Sequence, residues 1–248
     1  MGSPRPVVAP RDDSGRTPAC GRSVGNIRVL PAVESPELGN RRDIQVYLPP
    51  SYETSSREYP VIYMHDGQNL FDPATAFAVE WQVDDTFERL GPEGVEAIVV
   101  AVPNMGEHRI EEYSPFRDAR QRGGQGDAYL DFLVRTLKPE IDRHFRTRRE
   151  RSHTGIMGSS MGGLISLYGF FRYAEVFGFA GAMSPSLWFA SRAIFDTLGS
   201  LPRWSGRVYL DIGTGEGRAA VRDTRQMARL LRRSAARPRL SVQPRMAS

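Results

Sequence analysis

The chain is organised around one stretch. From Ser152 to Gly163 it reads Ser-His-Thr-Gly-Ile-Met-Gly-Ser-Ser-Met-Gly-Gly, with a largely apolar run from Leu164 to Phe171 behind it. Inside it sits Gly158-x-Ser160-x-Gly162. That pattern demands a strand running straight into a helix, through a turn tight enough to strain its central residue. Side chains at positions 158 and 162 would collide with the neighbouring strand and helix, so glycine is required on both sides. Ser160 would then stand clear of the sheet edge at a helix N-terminus. There the free N–H groups and the helix dipole favour a developing negative charge. The context fits: residues before the pattern read as a short strand, and Met161, Leu164, Ile165, Leu167, Tyr168 and Phe171 read as a buried helix. Ser160 is the candidate nucleophile.

Composition narrows the class. A chain of 248 residues, 40% hydrophobic and 25% charged, fits one α/β domain with a sizeable core. No run approaches the roughly 18 apolar residues a membrane helix needs. Pro4, Pro6, Pro10, Asp12 and Asp13 interrupt any apolar core of a signal peptide, so no membrane association is expected. A single cysteine, Cys20, excludes an internal disulfide and predicts a reducing, cytoplasmic setting. The net charge is +4, with much of the excess near the end at Arg232, Arg233, Arg237, Arg239 and Arg245. No aromatic residue interleaves with these arginines, so a solvated surface is expected and no nucleic-acid partner.

Taken in order, residues 1–25 are rich in Pro, Gly, Ser and charge and predict a disordered arm. Residues 27–33 and 44–48 predict two antiparallel strands. Residues 59–65 are a short apolar run ending in turn residues, the pattern of a buried central strand. In a serine hydrolase the loop after that strand gives one backbone N–H to the oxyanion hole, and the residue after the nucleophile gives the other. Gln68 and Met161 are therefore the predicted donors. Residues 79–90 predict a helix with Val79, Val83, Phe87 and Leu90 on one face, and residues 97–102 another buried strand. The long segment 103–126 predicts an irregular wall of the substrate site, with Arg109, Glu112 and Tyr113 shaping the pocket. A helix capped by Asp127 follows, carrying Tyr129, Phe132, Leu133, Leu137 and Ile141 inward, and Pro139 is expected to kink it. Strands over 177–183 and 207–212 and a helix over 219–231 complete a mainly parallel sheet with helices on both faces. Residues 26–233 form the domain in this reading, and residues 234–248 an irregular basic tail. Without a further strand, the strand at 207–212 would be an open edge able to pair with another chain, so a homo-oligomer is among the expected arrangements.

Three segments together resemble a known family. Residues 59–72 (Tyr-Pro-Val-Ile-Tyr-Met-His-Asp-Gly-Gln-Asn-Leu-Phe-Asp), residues 155–163, and residues 182–188 (Ala-Met-Ser-Pro-Ser-Leu-Trp) are similar to the "Putative esterase" family of α/β-hydrolases. That family includes esterase D, feruloyl and acetyl-xylan esterases, trilactone esterases and mycolyltransferases of the antigen 85 type. The resemblance spans about residues 25–231 and implies an α/β-hydrolase fold acting on a small-molecule ester. No metal or cofactor is expected, because there is no His/Cys cluster and Gly213-x-Gly215-x-Gly217 lacks the spacing of a dinucleotide fingerprint. Ser160 matches the nucleophile, and Gln68 and Met161 match the oxyanion donors. An acid is implied after the next-to-last strand, where Glu216 is the better match and Asp211 the alternative. His65 and Asp66 join Arg109 and Tyr113 as residues implied near the substrate. His65 is expected chiefly to hold the Asp66–Asp72 turn.

The departure from the family pattern is the histidine. Relatives carry it on a loop after a further strand, followed by a closing helix. Here no histidine follows His153, so the last strand, the helix and the catalytic histidine are expected to be missing. His153 and His144 are expected at the far end of the sheet, and His65 and His108 are the remaining bases to consider. The leading expectation is a serine ester hydrolase. Two alternatives stay open: acyl transfer to a sugar, and a catalytically impaired hydrolase fold that serves as a binding module.

Overall fold

The computed structural model describes residues 23–200, 203–235 and 239–245. Apart from Ser23 to Gly25, the predicted N-terminal arm lies outside the described residues. In chain order the strands are β1 (Asn26–Ser35), β2 (Asn40–Leu48), β3 (Val61–His65), β4 (Ile98–Val102), the two-residue strands β5 (Arg117–Asp118) and β6 (Arg122–Gly123), then β7 (Thr154–Ser159), β8 (Phe179–Met183), β9 (Arg207–Gly213) and β10 (Arg239–Arg245). The helices are α1 (Val83–Leu90), α2 (Arg109–Glu112), α3 (Gly126–Asp131), α4 (Lys138–His144), α5 (Met161–Arg172), α6 (Phe189–Gly199) and α7 (Arg218–Ser234). The chain divides into two compact units, one of residues 1–105 and 132–149 and the other of residues 106–131 and 150–248.

In the first unit the strand order is β1-β2-β4-β3. β1 and β2 are antiparallel, β2 and β4 are antiparallel, and β3 and β4 are parallel. The near-continuous apolar runs of β3 and β4 are almost wholly buried, as strands covered on both faces require. The predicted opening pair is present. A bulge interrupts it between Leu30 and Val33, where Ala32 takes a positive φ and gives its N–H to Asp43 Oδ1 at 2.7 Å.

Two helix expectations change. The helix predicted over residues 79–90 begins only at Val83. The backbone before it is otherwise engaged: Trp81 N–H bonds to the Asn69 carbonyl, Gln82 is left-handed, and Val83 N–H bonds to the Leu70 carbonyl. Val79, expected on the inward face, is consequently exposed. Pro139 produces not a simple kink but a π-helical stretch over Phe132–Leu137, directly before α4. Proline has no N–H to give to the carbonyl four residues back, and the wider turn absorbs the defect.

In the second unit β7, β8, β9 and β10 follow one another in parallel. α5 packs on β7 and β8, and α7 on β9 and β10. Phe170, Phe171 and Trp204 form an edge-to-face aromatic cluster, pinned by Trp204 Nε1 donating to the Leu231 carbonyl at 3.0 Å. Strand β10 overturns two expectations. Where the sequence predicts an irregular tail over residues 234–248, Arg239–Arg245 pair in register with Arg207–Gly213. β9 is therefore not the open edge, and the last strand is not missing. The sequence signal was a short alternation at Leu240 and Val242, masked by arginines and by Pro244, a residue tolerated in an outermost strand. The segment 103–126 is not irregular either: α2 and the β5–β6 ladder organise it.

One glycine fixes the turn after β3. A Cβ at Gly67 would lie 2.6 Å from the Ala101 carbonyl carbon and 2.7 Å from the Val102 nitrogen, both rigid backbone of β4. Gly67→Ala should cost about 1–3 kcal/mol, the range for overpacking a tight site, and lower the thermal midpoint by several degrees. An unchanged midpoint in a thermal melt would mean that the β4 backbone yields.

Candidate active site

The turn between β7 and α5 has the predicted strain. Ser160 has φ 58° and ψ −119°, a region disfavoured for any residue with a side chain, and its side chain is exposed. Backbone bonds hold it there. Ser160 N–H donates to the Met183 carbonyl, and its own carbonyl accepts from Ser186 N–H and Leu164 N–H, each at 3.0 Å. Close crowding is recorded at Gly163, where a Cβ would sit 2.9 Å from the Met183 carbonyl oxygen. Met161 opens α5 in the first turn, whose N–H groups have no intrahelical acceptor.

A second turn meets this one. β8 ends in Ser184-Pro185-Ser186. Ser186 is almost fully buried and its Oγ lies 3.1 Å from Ser160 Oγ. Ser184, with φ 40°, gives its N–H to Asp211 Oδ1 at 2.8 Å and its hydroxyl to Glu216 Oε1 at 2.5 Å. Both candidate acids therefore converge on one serine. They differ in freedom. Asp211 is buried in β9 and also accepts from Tyr209 Oη at 3.0 Å. Glu216 is exposed on the single turn after β9, where it also accepts from Gly213 N–H at 3.1 Å. Ser184 and Ser186 were missed as site residues in the sequence. The Ser-Pro-Ser run after an apolar strand was the available signal.

In the first unit, Gly67–Asn69 form one 3₁₀ turn after β3. Asn69 and Leu70, not Gln68, supply the N–H groups that close it. Asp66 is left-handed at φ 55° and accepts from Asn104 Nδ2 at 2.7 Å, while Gln68 Oε1 accepts from Asn104 N–H at 3.2 Å. His65 and Asp66, implied near the substrate, are both buried, and Asp66 builds this turn.

The second unit corrects Tyr113. Its ring is completely buried against Tyr129 at 5.2 Å, so it belongs to the core and not to a pocket wall. Glu112 is buried too. Arg109 is partly exposed and lies over the Tyr113 ring at 5.1 Å. His108 is exposed, with Nδ1 2.8 Å from Glu111 Oε2, and Arg122 approaches the same carboxylate at 3.3 Å. The hydrogen bond that His108 donates to the Glu111 carboxylate raises the imidazole above its ordinary pKa and lowers Glu111 in return. His144 is nearly buried, with Nδ1 2.9 Å from the Glu140 carbonyl oxygen. His153 precedes β7, at the opposite end of that strand from Ser160. Among the described residues no helix is long and apolar enough to cross a membrane, and no group of three His, Cys, Asp or Glu side chains could hold a metal ion.

Comparisons with known proteins give the family and the fold. The family model described as "Putative esterase" matches residues 35–243. The uncharacterized protein YbbA of Bacillus subtilis is 32% identical over 188 residues, which is 73% of this chain and 71% of that protein. The siderophore triacetylfusarinine C esterase of Aspergillus fumigatus is 29% identical, over 66% of this chain and 59% of its own length. Among solved structures, the BES protein from Bacillus cereus superimposes with a TM-score of 0.71 at 20% identity, covering 91% of this chain and 88% of that one. The enterobactin esterase FES from Shigella flexneri does so with 0.72 at 18%, covering 90% and 54%. At such identities the structures establish the fold, that of the α/β-hydrolase esterases, with a mainly parallel sheet. The chain belongs to the "Putative esterase" family and is an enzyme of the ester-hydrolase class.

Proposed function

We propose that this chain hydrolyses a small-molecule carboxylic ester through an acyl-enzyme on Ser160. The observation that carries the reading is the strained, exposed Ser160 at the N-terminus of α5, one hydrogen bond from Ser186. Ser160 Oγ attacks the ester carbonyl carbon and gives its proton to a base, and the carbonyl oxygen takes the negative charge. The backbone N–H groups of Gln68 and Met161 are assigned to that oxygen. The C–O bond to the alcohol then breaks, and the alcohol leaves with the proton. Water attacks the acyl-Ser160 ester by the same route and releases the acid. Glu216 is assigned as the carboxylate that orients the base, because it is exposed where Asp211 is buried. The siderophore esterases among the relatives support a siderophore ester as the substrate.

A second reading has one observation in its favour. The Ser160 hydroxyl bonds to another hydroxyl, not to an imidazole, as expected of a hydrolase fold that binds without turning over. Turnover of a short-chain p-nitrophenyl ester decides between the two. Ser160→Ala should lower kcat/KM by at least about 10³-fold. Equal rates for the two proteins, both shown to be folded, would leave only the binding reading. Ser186→Ala removes the hydrogen bond that aims Ser160 Oγ. It should lower kcat about 5–10-fold with KM within about twofold, from a hydrogen bond worth about 1 kcal/mol; an unchanged kcat would remove Ser186 from the site.

His108 is the first imidazole to test as the base, since it is exposed; its carboxylate partner is Glu111, so a base at His108 would give Glu111, and not Glu216, the orienting role. A base works deprotonated, so the rate should rise as pH passes through its pKa. Because Glu111 raises that pKa, the acid limb of the kcat/KM profile should lie above 6.5. Glu111→Gln should move the limb to lower pH, and His108→Gln should abolish it. A profile indifferent to both substitutions would assign the base elsewhere.

A further inference from the structure

Helix α7 carries a feature that the ester chemistry leaves unused. Its inner face is Asp223, Thr224, Met227, Ala228 and Leu231, all buried. Its outer face presents Arg218, Arg222, Arg225 and Arg229, all exposed and spaced four, three and four residues apart. At a rise of 1.5 Å per residue these four form one stripe about 16 Å long. Neighbours at such spacing share a helix face, so like charges there repel and destabilise the helix. Compensation is slight. The one acid in α7, Asp223, lies 3.4 Å from Arg222 and is shared with Arg192, also at 3.4 Å. Arg218, Arg225 and Arg229 make no ion pair among the described residues. With Thr214 and Val221 these arginines line an open groove of about 490 Å³. That size falls within the range of small-ligand sites.

We propose that this groove binds an oligophosphate, a chain of linked phosphoryl groups either free or carried by a nucleotide. Guanidinium groups are planar forks that pair with phosphate oxygens two at a time. Several such forks in a row suit an anion whose charges are covalently linked. A single carboxylate would satisfy one arginine and leave the others repelling. No aromatic side chain lines the groove among the described residues, so a nucleobase has nothing to stack on. Among the described residues Val221 is the one apolar side chain lining it, which gives an acyl chain little to pack on. Recognition therefore rests on the phosphates. The groove borders the turn Thr214–Glu216 that carries the assigned carboxylate, but the proposal does not depend on that assignment.

The test is calorimetric titration of the whole protein at low salt with sodium tripolyphosphate, ATP and orthophosphate. Tripolyphosphate and ATP should bind one per chain with affinities within about threefold of each other, and orthophosphate at least tenfold more weakly. Raising NaCl should weaken the first two. The double substitution Arg225→Gln with Arg229→Gln should weaken tripolyphosphate at least tenfold, with the circular dichroism spectrum and the rate on a p-nitrophenyl ester within twofold of the parent. A control pair away from the groove, Arg148→Gln with Arg149→Gln, should leave binding unchanged. Three results would each overturn the proposal: no saturable binding of tripolyphosphate, binding that survives the groove substitutions, or ATP binding without tripolyphosphate binding. Loss of the native spectrum in the double variant would shift the same comparison to Arg225→Gln alone, with at least a threefold loss expected.

Discussion

The candidate site depends on keeping Ser160 in a backbone conformation that it would leave if released. Three hydrogen bonds oppose that release. One takes its N–H to the end of β8, and two bring the N–H groups of Ser186 and Leu164 to its carbonyl. A strained residue costs of order 1–3 kcal/mol and persists only where its surroundings over-determine it. Here the surroundings are a parallel strand on one side and a buried helix on the other, so most of the second unit's core supports the position of one hydroxyl.

The same arrangement couples the serine to the acids. Ser186 touches Ser160, and two residues earlier Ser184 collects both Asp211 and Glu216. One three-residue turn thus spans from nucleophile to carboxylates. Pro185 at its centre restricts the backbone between them. The turn at Asp66 and Gly67 follows the same logic with different parts: a left-handed residue, a glycine pressed on neighbouring backbone, and an amide side chain from Asn104 tying the turn down.

What could be read from the sequence followed from local rules. The strain at Ser160, the apolar runs of β3 and β4, and the opening antiparallel pair were legible because glycine spacing and hydrophobic period act over a few residues. What could not be read depended on distant partners. Tyr113 looked like a loop residue because nothing nearby in sequence announces Tyr129 as its neighbour. Residues 79–82 had helical periodicity, yet their backbone groups were drawn to Asn69 and Leu70. Ser184 and Ser186 are ordinary turn residues until β7, β9 and the turn after β9 are placed around them. The strand Arg239–Arg245 was obscured by its own composition, and its pairing with β9 settles it.

That last pairing bears on how the chain reaches its fold. β1 and β2 meet across a short hairpin, a contact that forms at small entropic cost. β9 and β10 are neighbours in space but are separated by the whole of α7, and every parallel pairing in the second unit likewise closes over an intervening helix. Such long closures slow folding. Until β10 docks, β9 presents a row of unsatisfied amides and carbonyls beside Val208, Tyr209, Leu210 and Ile212. The interval between forming the first hairpin and adding the last strand is therefore when the molecule is most exposed to associating with its own kind, and crowded refolding would punish it most there.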